Sequence, residues 1–357
     1  MQFIKGMDVS MLKELEDHGA VYYWHGEKRD LFEILKESGV NLIRLRLWCD
    51  PYSESKEAYG GGTNDLETTI QLAKRVVNQG LEFMLDIHYS DFWADPAKQI
   101  KPKAWKELSG LELQSAVYNY TAETLQRLKK EGVEPSIVQV GNEVTNGLLW
   151  PEGRIENTEE MAKLLSAGIR AVKENNDQIK VILHLDFGTD NKMYRKWFSD
   201  IAPYHLEYDV IGMSYYPYWN GGLDALLYNM NDISQTFQKD VIVVETAIGY
   251  TTDSLGCSGI VFSKEQSNQT KYPATMEGQE TFLKDLCETV RNVKDHRGKG
   301  IIYWEPAWLP ISECTWAKPI GCEYMGDKAE IGNSWANQAL FDGEGNANLA
   351  LLHLNQM

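Results

Sequence analysis

Apolar positions along this chain fall into two alternating rhythms. Short runs rich in Val, Ile and Leu read as strands, and longer stretches with apolar residues three and four apart read as helices. Strands are expected over 3–9, 40–48, 81–88, 137–144, 179–186, 208–214, 241–247 and 300–305. Helices are expected over 28–38, 65–79, 111–131, 158–174, 192–201, 223–237 and 276–294. The helix over 28–38 carries Leu31, Ile34 and Leu35 on one face and closes at Gly39. A polar stretch over 251–273 breaks the rhythm and reads as an inserted loop of the kind that borders an active site. Strand-then-helix alternation on this scale predicts an α/β protein, a single (β/α)8 barrel over residues 1–357 with extended loops, rather than two doubly wound domains. No Gly-x-Gly-x-x-Gly follows an early strand, so a dinucleotide-binding domain finds no support.

Charge narrows the partners. The formal net charge is −17, which argues against nucleic acid or an anionic membrane surface because like charges repel. No run of eighteen or more apolar residues occurs, so no transmembrane helix is expected. The opening Met-Gln-Phe-Ile-Lys has no charged segment leading into an apolar one. Either a cytoplasmic protein or one whose export signal has been removed fits that start. Eleven tryptophans and eighteen tyrosines are many for this length, and several fall in expected loops, where flat apolar faces suit a sugar-binding cleft. The five cysteines lack metal spacing; Cys314 and Cys322 share a loop-rich stretch and could pair in an oxidising compartment, while Cys49 and Cys287 read as buried free thiols.

The chemistry collects at expected strand ends, where barrels place their sites. The run Ile137-Val-Gln-Val-Gly-Asn142-Glu143 delivers an amide and a carboxylate together, and Val241-Ile-Val-Val-Glu245 delivers a second carboxylate. A single such glutamate reads equally as a salt-bridge partner, but two at strand tips suggest paired carboxyl catalysis. Arg46, at the tip of the second strand, is a candidate for holding a carboxylate, and Arg44 for an internal salt bridge. Arg46 and a tyrosine hydroxyl would keep one carboxylate ionised while apolar neighbours keep the other protonated. Asn142 suits a hydrogen bond to a sugar 2-hydroxyl, and Trp304 suits a platform beneath a ring. His88, Asp91, Trp93, Asp186 and Tyr215 complete the candidate substrate-binding set from neighbouring strand ends and loops. His88 and His184 sit on different strands with no His-x-His pair, so no metal-dependent hydrolase is indicated.

The runs Asn41-Leu-Ile-Arg-Leu-Arg-Leu-Trp48, Asp86-Ile-His-Tyr-Ser-Asp-Phe-Trp-Ala-Asp-Pro96, Gln139-Val-Gly-Asn-Glu143, His184-Leu-Asp186, Ser214-Tyr-Tyr-Pro217, Val244-Glu-Thr-Ala247 and Tyr303-Trp-Glu-Pro-Ala-Trp308, in this order, resemble glycoside hydrolase family 53, the endo-β-1,4-galactanases. Asn-Glu alone is shared by many related glycosidases; the Asp-x-His-Tyr-Ser-Asp-x-Trp-Ala-Asp-Pro run is far more specific. The resemblance implies a retaining enzyme with Glu143 as acid/base and Glu245 as nucleophile, cleaving internal β-1,4-galactosyl bonds in pectin side chains. It also implies an extracellular or cell-envelope location, and we expect a monomer. No cofactor is required by this chemistry. Calcium is bound by some members near the loops after strands seven and eight, but no dense Asp/Asn ligand run occurs there in this chain. Two rival readings keep the barrel: a related endo-glycosidase acting on mannan, xylan or β-glucan, and a carbohydrate-binding barrel without catalysis.

Overall fold

The computed structural model describes residues 2–357. Eight parallel strands close into a barrel: β1 (Ile4–Asp8), β2 (Leu42–Leu47), β3 (Glu82–Ile87), β4 (Ile137–Val140), β5 (Lys180–Leu185), β6 (Val210–Ser214), β7 (Asp240–Thr246) and β8 (Gly298–Trp304). Each pairs with its sequence neighbours, and β8 closes on β1 from Ile4↔Gly300 to Asp8↔Trp304. The expected α/β class and (β/α)8 architecture are therefore what forms.

Side-chain alternation divides every strand between two environments. One parity packs outward against the helices, as Ile43, Leu45 and Leu47 of β2 do. The other faces the axis, where Ile4, Leu42, Met84, Ile137, Ile182, Val210, Ile242, Val244 and Ile302 from all eight strands make a dry plug at the lower end. Continuing the inward parity upward changes the chemistry. Ile4 gives way to Asp8, Leu42 to Arg44, Met84 to Asp86, Ile137 to Gln139, Ile182 to His184, and Val210 to Ser214. The same faces are thus apolar below and polar at the mouth.

Strand β7 breaks this parity. Val243 pairs Ile301 of β8 and Thr246 pairs Tyr303, while Met213 and Ser214 of β6 pair Val243 and Glu245. One extra residue is accommodated in β7, a bulge that re-aims the next side chain. Val244 belongs to the inner plug, and its immediate successor Glu245 also reaches the interior mouth.

Seven outer helices follow the expected positions: α1 (Leu31–Glu37), α2 (Leu66–Asn78), α3 (Gly110–Lys130), α4 (Thr158–Asn175), α5 (Asn191–Ile201), α6 (Leu223–Phe237) and α7 (Met276–Arg291). Helix α1 starts three residues later than its periodicity suggests. Glu27–Arg29 pairs with Tyr22–Trp24 in a hairpin, and Asp30 caps the helix by accepting the Phe32 N–H. The stretch 251–273 is loop, as expected, apart from one turn of helix over Lys264–Ser267 begun by a Ser263 capping box. An eighth helix, α8 (Leu349–Leu352), lies against α7 and fills the position after β8; the periodicity did not announce it because it is a single turn. All five cysteines are free thiols, so Cys314 and Cys322 are not joined. Among the described residues no helix is long and apolar enough to cross a membrane.

Candidate active site

Arg44 is the hub of the barrel mouth. It is fully buried, and its Nη1 donates to Asp8 at 2.9 Å while Nη2 donates to Asp86 at 2.9 Å and to Glu245 at 2.8 Å. Nη2 also lies 3.1 Å from Oδ1 of Asn142 and 3.2 Å from Oε1 of Gln139. A buried guanidinium is tolerable only when carboxylates surround it, and the inward parity of β1, β2 and β3 supplies two of them. The third is Glu245, whose other oxygen accepts from the Tyr216 hydroxyl at 3.2 Å.

Glu143 follows β4 with a left-handed backbone, φ +44°, costly for a residue with a Cβ and typical of functional positions. Gly141 makes the turn possible: at φ +80° a Cβ there would lie 2.6 Å from Val144 Cγ1. The turn aims Glu143 across the mouth, where Oε1 accepts from the Ser214 hydroxyl at 2.6 Å. Ser214 is also the register partner of Glu245 on the adjacent strand. The two carboxyl groups are near enough for the charge of Glu245 to be felt at Glu143.

Their surroundings separate the two acids. Burial lifts Glu143 well above the ordinary glutamate value, and the negative charges of Glu245 and Asp186 lift it further, with only the Ser214 hydroxyl opposing. Burial lifts Glu245 too, Arg44 pulls against it, and with the charges of Asp86 and Asp8 the net position is about 7. Arg44 pairs with Glu245, whereas among the described residues no cation is within ion-pair distance of Glu143, so a proton shared between them resides on Glu143. Asp186 is raised to about 6, chiefly by burial, while its oxygen accepts the Thr145 hydroxyl.

The two glutamates open into a cleft walled by six tryptophans, with Trp93, Trp304 and Trp335 among them. The indole N–H groups of Trp93, Trp316, Trp335 and Trp308 donate to backbone carbonyls of Trp316, Glu330, Trp304 and Cys314. With their only donors used internally, these rings are fixed in orientation and offer apolar faces. Arg46 lies behind them, its guanidinium 4.5 Å from the Trp93 ring centroid and bonded to Glu305 and to the Gly61 carbonyl.

Among the residues expected at the site, Arg46, His88, Trp93, Asn142, Glu143, Glu245 and Trp304 all line this cleft. His88 is fixed there, with Nε2 3.0 Å from Asp86 and Nδ1 accepting the Ala94 N–H at 3.2 Å. Three expectations need correction. The arginine that holds Glu245 is Arg44; Arg46 is one inward step further up β2, where its carboxylate partner is Glu305. Tyr215 does not face the cleft: its ring stacks on Phe282 of α7 and its hydroxyl donates to the Gly221 carbonyl, and Tyr216 takes the place by parity with Ser214. Asp91 is a loop anchor, accepting the Asp50 and Lys103 N–H groups at 3.0 and 2.7 Å and pairing with the Lys103 ammonium. Asp186 stands beside the cleft, held to Thr145, with its charge felt at Glu143. Arg44 makes the internal salt bridges expected of it, but its hold on Glu245 and the site places of Asp86, Ser214 and Tyr216 were not expected, although each occupies an inward position that strand parity identifies. Among the described residues no group of three or more His, Cys, Asp or Glu side chains is placed to hold a metal ion.

The sequence profile of glycosyl hydrolase family 53 matches residues 4–354. The chain is 39% identical over 363 residues to an endo-beta-1,4-galactanase of Bacillus subtilis, covering 96% of this chain and 83% of that one. It is 35% identical over 352 residues to an arabinogalactan endo-beta-1,4-galactanase of Cellvibrio japonicus, covering 95% and 86%. The catalytic domain of a family 53 protein from Ignisphaera aggregans superposes with a TM-score of 0.92 at 39% identity, covering 99% of this chain and 95% of that one.

Proposed function

The chain belongs to glycosyl hydrolase family 53, and from that premise we propose that it is an endo-β-1,4-galactanase acting on galactan and type I arabinogalactan by retaining double displacement. The observation that carries the reading is the pairing of an arginine-held carboxylate, Glu245, with a carboxyl that has no cation, Glu143, in one tryptophan-walled cleft.

In this reading Glu245, ionised beside Arg44 and steadied by Tyr216, attacks the anomeric carbon. Glu143 gives its proton to the departing glycosidic oxygen, then takes one from the water that hydrolyses the glycosyl-enzyme. Retaining chemistry wants the carboxyls about 5 to 5.5 Å apart, and a charge on Glu245 that is felt at Glu143 supports a close pair. Asn142, anchored by Arg44 and by donation to the Ala94 carbonyl at 2.9 Å, is suited to meet the sugar 2-hydroxyl. The tryptophan walls bind galactosyl rings through their apolar C–H faces. Two carboxyl groups supply the whole acid, base and nucleophile set, so the mechanism calls for no cofactor. We take the chain to act as a monomer, and the charge of −17 disfavours nucleic acid and anionic membranes. A polymeric pectin substrate favours an extracellular or cell-envelope location.

The test is incubation with linear β-1,4-galactan beside mannan, xylan and β-glucan, following product sizes over time. Short galacto-oligosaccharides of mixed length from galactan alone are expected, with the β-anomer formed first. Release from another polysaccharide would keep the mechanism and move the substrate; silence on all four would leave a carbohydrate-binding barrel.

A further inference from the structure

The acid/base carboxyl has two oxygens, and a fixed chain of buried groups touches only one of them. Ser214 donates its only hydroxyl hydrogen to Oε1 of Glu143 at 2.6 Å. Its oxygen is then free only to accept, and Nε2 of His184 stands 2.8 Å from it. His184 is fully buried, and burial, with Arg44 and His88 nearby, holds it well below the ordinary histidine range, so it is neutral and carries one ring hydrogen. That hydrogen must be on Nε2 to serve Ser214, which leaves Nδ1 as an acceptor. Around Nδ1 stand two donors, the Gln139 amide nitrogen at 3.1 Å and the backbone N–H of Glu143 at 3.4 Å, and one acceptor, Oδ1 of Asn142 at 3.0 Å, which is itself supplied by Nη2 of Arg44 at 3.1 Å and by the Gln139 amide at 3.1 Å. Gln139 is in turn held by Asp86 at 2.6 Å and by Arg44. The Nε2–H tautomer thus follows from the Ser214 donation to Glu143, and the two donors at Nδ1 fit it.

Resting on the galactanase reading, we propose that Ser214 and His184 are positioning residues that reserve Oε1 of Glu143 as an acceptor and so assign the transferable proton to Oε2. A carboxyl free to carry its proton on either oxygen presents the right one to the glycosidic oxygen only part of the time. With Oε1 occupied by a fixed donor, the proton on Oε2 is the one that moves. In the first step the Oε2–H bond breaks and the proton passes to the glycosidic oxygen. The bond from that oxygen to the anomeric carbon breaks with its electron pair staying on oxygen, and the bond from the carbon to Glu245 forms. In the second step water attacks the same carbon, returns its proton to Oε2, and Glu245 leaves as carboxylate. Ser214 keeps its donation throughout, stabilising the ionised form of Glu143 between the two steps, when Glu245 is esterified and uncharged, against the charges of Asp186 and Asp95.

The experiment compares Ser214→Ala with Ser214→Thr in the whole protein, recording kcat/KM against pH on galactan and on an aryl β-galactoside with a good leaving group. In Ser214→Ala, galactan hydrolysis falls on the order of ten-fold or more, as expected for losing a hydrogen bond to a charged group. The alkaline limb, which reports loss of the acid proton, moves to higher pH because the ionised form has lost its donor. Glycosylation by the aryl substrate, which needs little protonation, changes far less, and Ser214→Thr restores both limb and rate. An unmoved alkaline limb with equal losses on both substrates would reduce Ser214 to packing and overturn the proposal. Should the alanine variant not fold, Ser214→Cys, nearly isosteric but a weak donor, carries the same two readouts. Absence of galactan hydrolysis by the unsubstituted protein would instead count against the galactanase reading itself, so the two failures are distinct.

Discussion

Nη2 of Arg44 lies 2.8 Å from Oε1 of Glu245, and the same guanidinium also holds Asp8 and Asp86. The charge that keeps the nucleophile ionised is thus part of a buried network on which the barrel mouth also depends. Replacing Arg44 by Met leaves buried Glu245 and Asp86 without an arginine partner and Asp8 with only Arg46, 3.8 Å away, a loss of about 3–5 kcal/mol by analogy with other broken buried pairs. Thermal unfolding should show a large fall in Tm. Arg44→Lys keeps the charge but not the fork, and cannot reach all three acids at once. That variant should fold, lose most activity, and need higher pH to ionise Glu245, visible as a shift of the acid limb of kcat/KM. A lysine variant with an unmoved acid limb would show that Arg44 does not set the nucleophile.

The two glutamates should fail in different ways. Glu245→Ala cannot form the covalent intermediate, so turnover of galactan should vanish while the circular dichroism of the barrel persists. Glu143→Ala should still be glycosylated by aryl galactosides with good leaving groups, and azide should speed release by giving a β-galactosyl azide. Near-normal galactan hydrolysis by the first variant, or equal inactivity of the second on both substrate types without azide rescue, would reverse these assignments.

Trp304 stands with its ring edge-on to Trp335, centroids 4.6 Å apart, above the barrel mouth. A stacked sugar ring gains from dispersion and exclusion of water, and loss of one aromatic face costs on the order of 1 kcal/mol, about five-fold in affinity. Trp304→Ala should therefore weaken galacto-oligosaccharide binding about five-fold or more by calorimetry on a Glu245→Ala background, and Trp304→Phe should recover part of it. Unchanged binding in the alanine variant would remove Trp304 from the platform.

Much of this site was readable from strand alternation. Leu42, Arg44 and Arg46 share a face of β2, and Met84, Asp86 and His88 share a face of β3, so an apolar plug at the lower positions already implies a polar mouth above it. Carrying that parity through β6 would have chosen Tyr216 over Tyr215, since Val210 and Ser214 face inward. Parity fails for Glu245. With Ile242 and Val244 inward, an unbroken strand would turn Glu245 toward the helices, and only the β7 bulge brings it back. A bulge depends on register with both neighbouring strands, which the local sequence does not contain. Asp91 was misjudged for a related reason: its partners Asp50 and Lys103 come from two other loop segments, and loop convergence leaves no periodic trace.

The raised carboxyls also make stability fall with rising pH. Folded Glu143 is held well above its ordinary value of 4.5, and Asp186 sits at about 6 against an ordinary 3.8. Between the unfolded and folded values the native state holds protons that the unfolded chain has released. Unfolding then releases protons, so stability is fully present below the unfolded values and is lost as pH rises through the folded ones. Each proton so held contributes a slope of about 1.4 kcal/mol per pH unit. Tm should therefore drop from about pH 5 to about pH 8 as these groups are forced to ionise. Glu143→Gln, neutral at every pH and similar in shape, should flatten that slope and be more stable than the parent at the alkaline end while losing activity on galactan. Site carboxyls held protonated for catalysis would then be the source of the alkaline instability; a Glu143→Gln profile parallel to the parent's would place it elsewhere in the molecule.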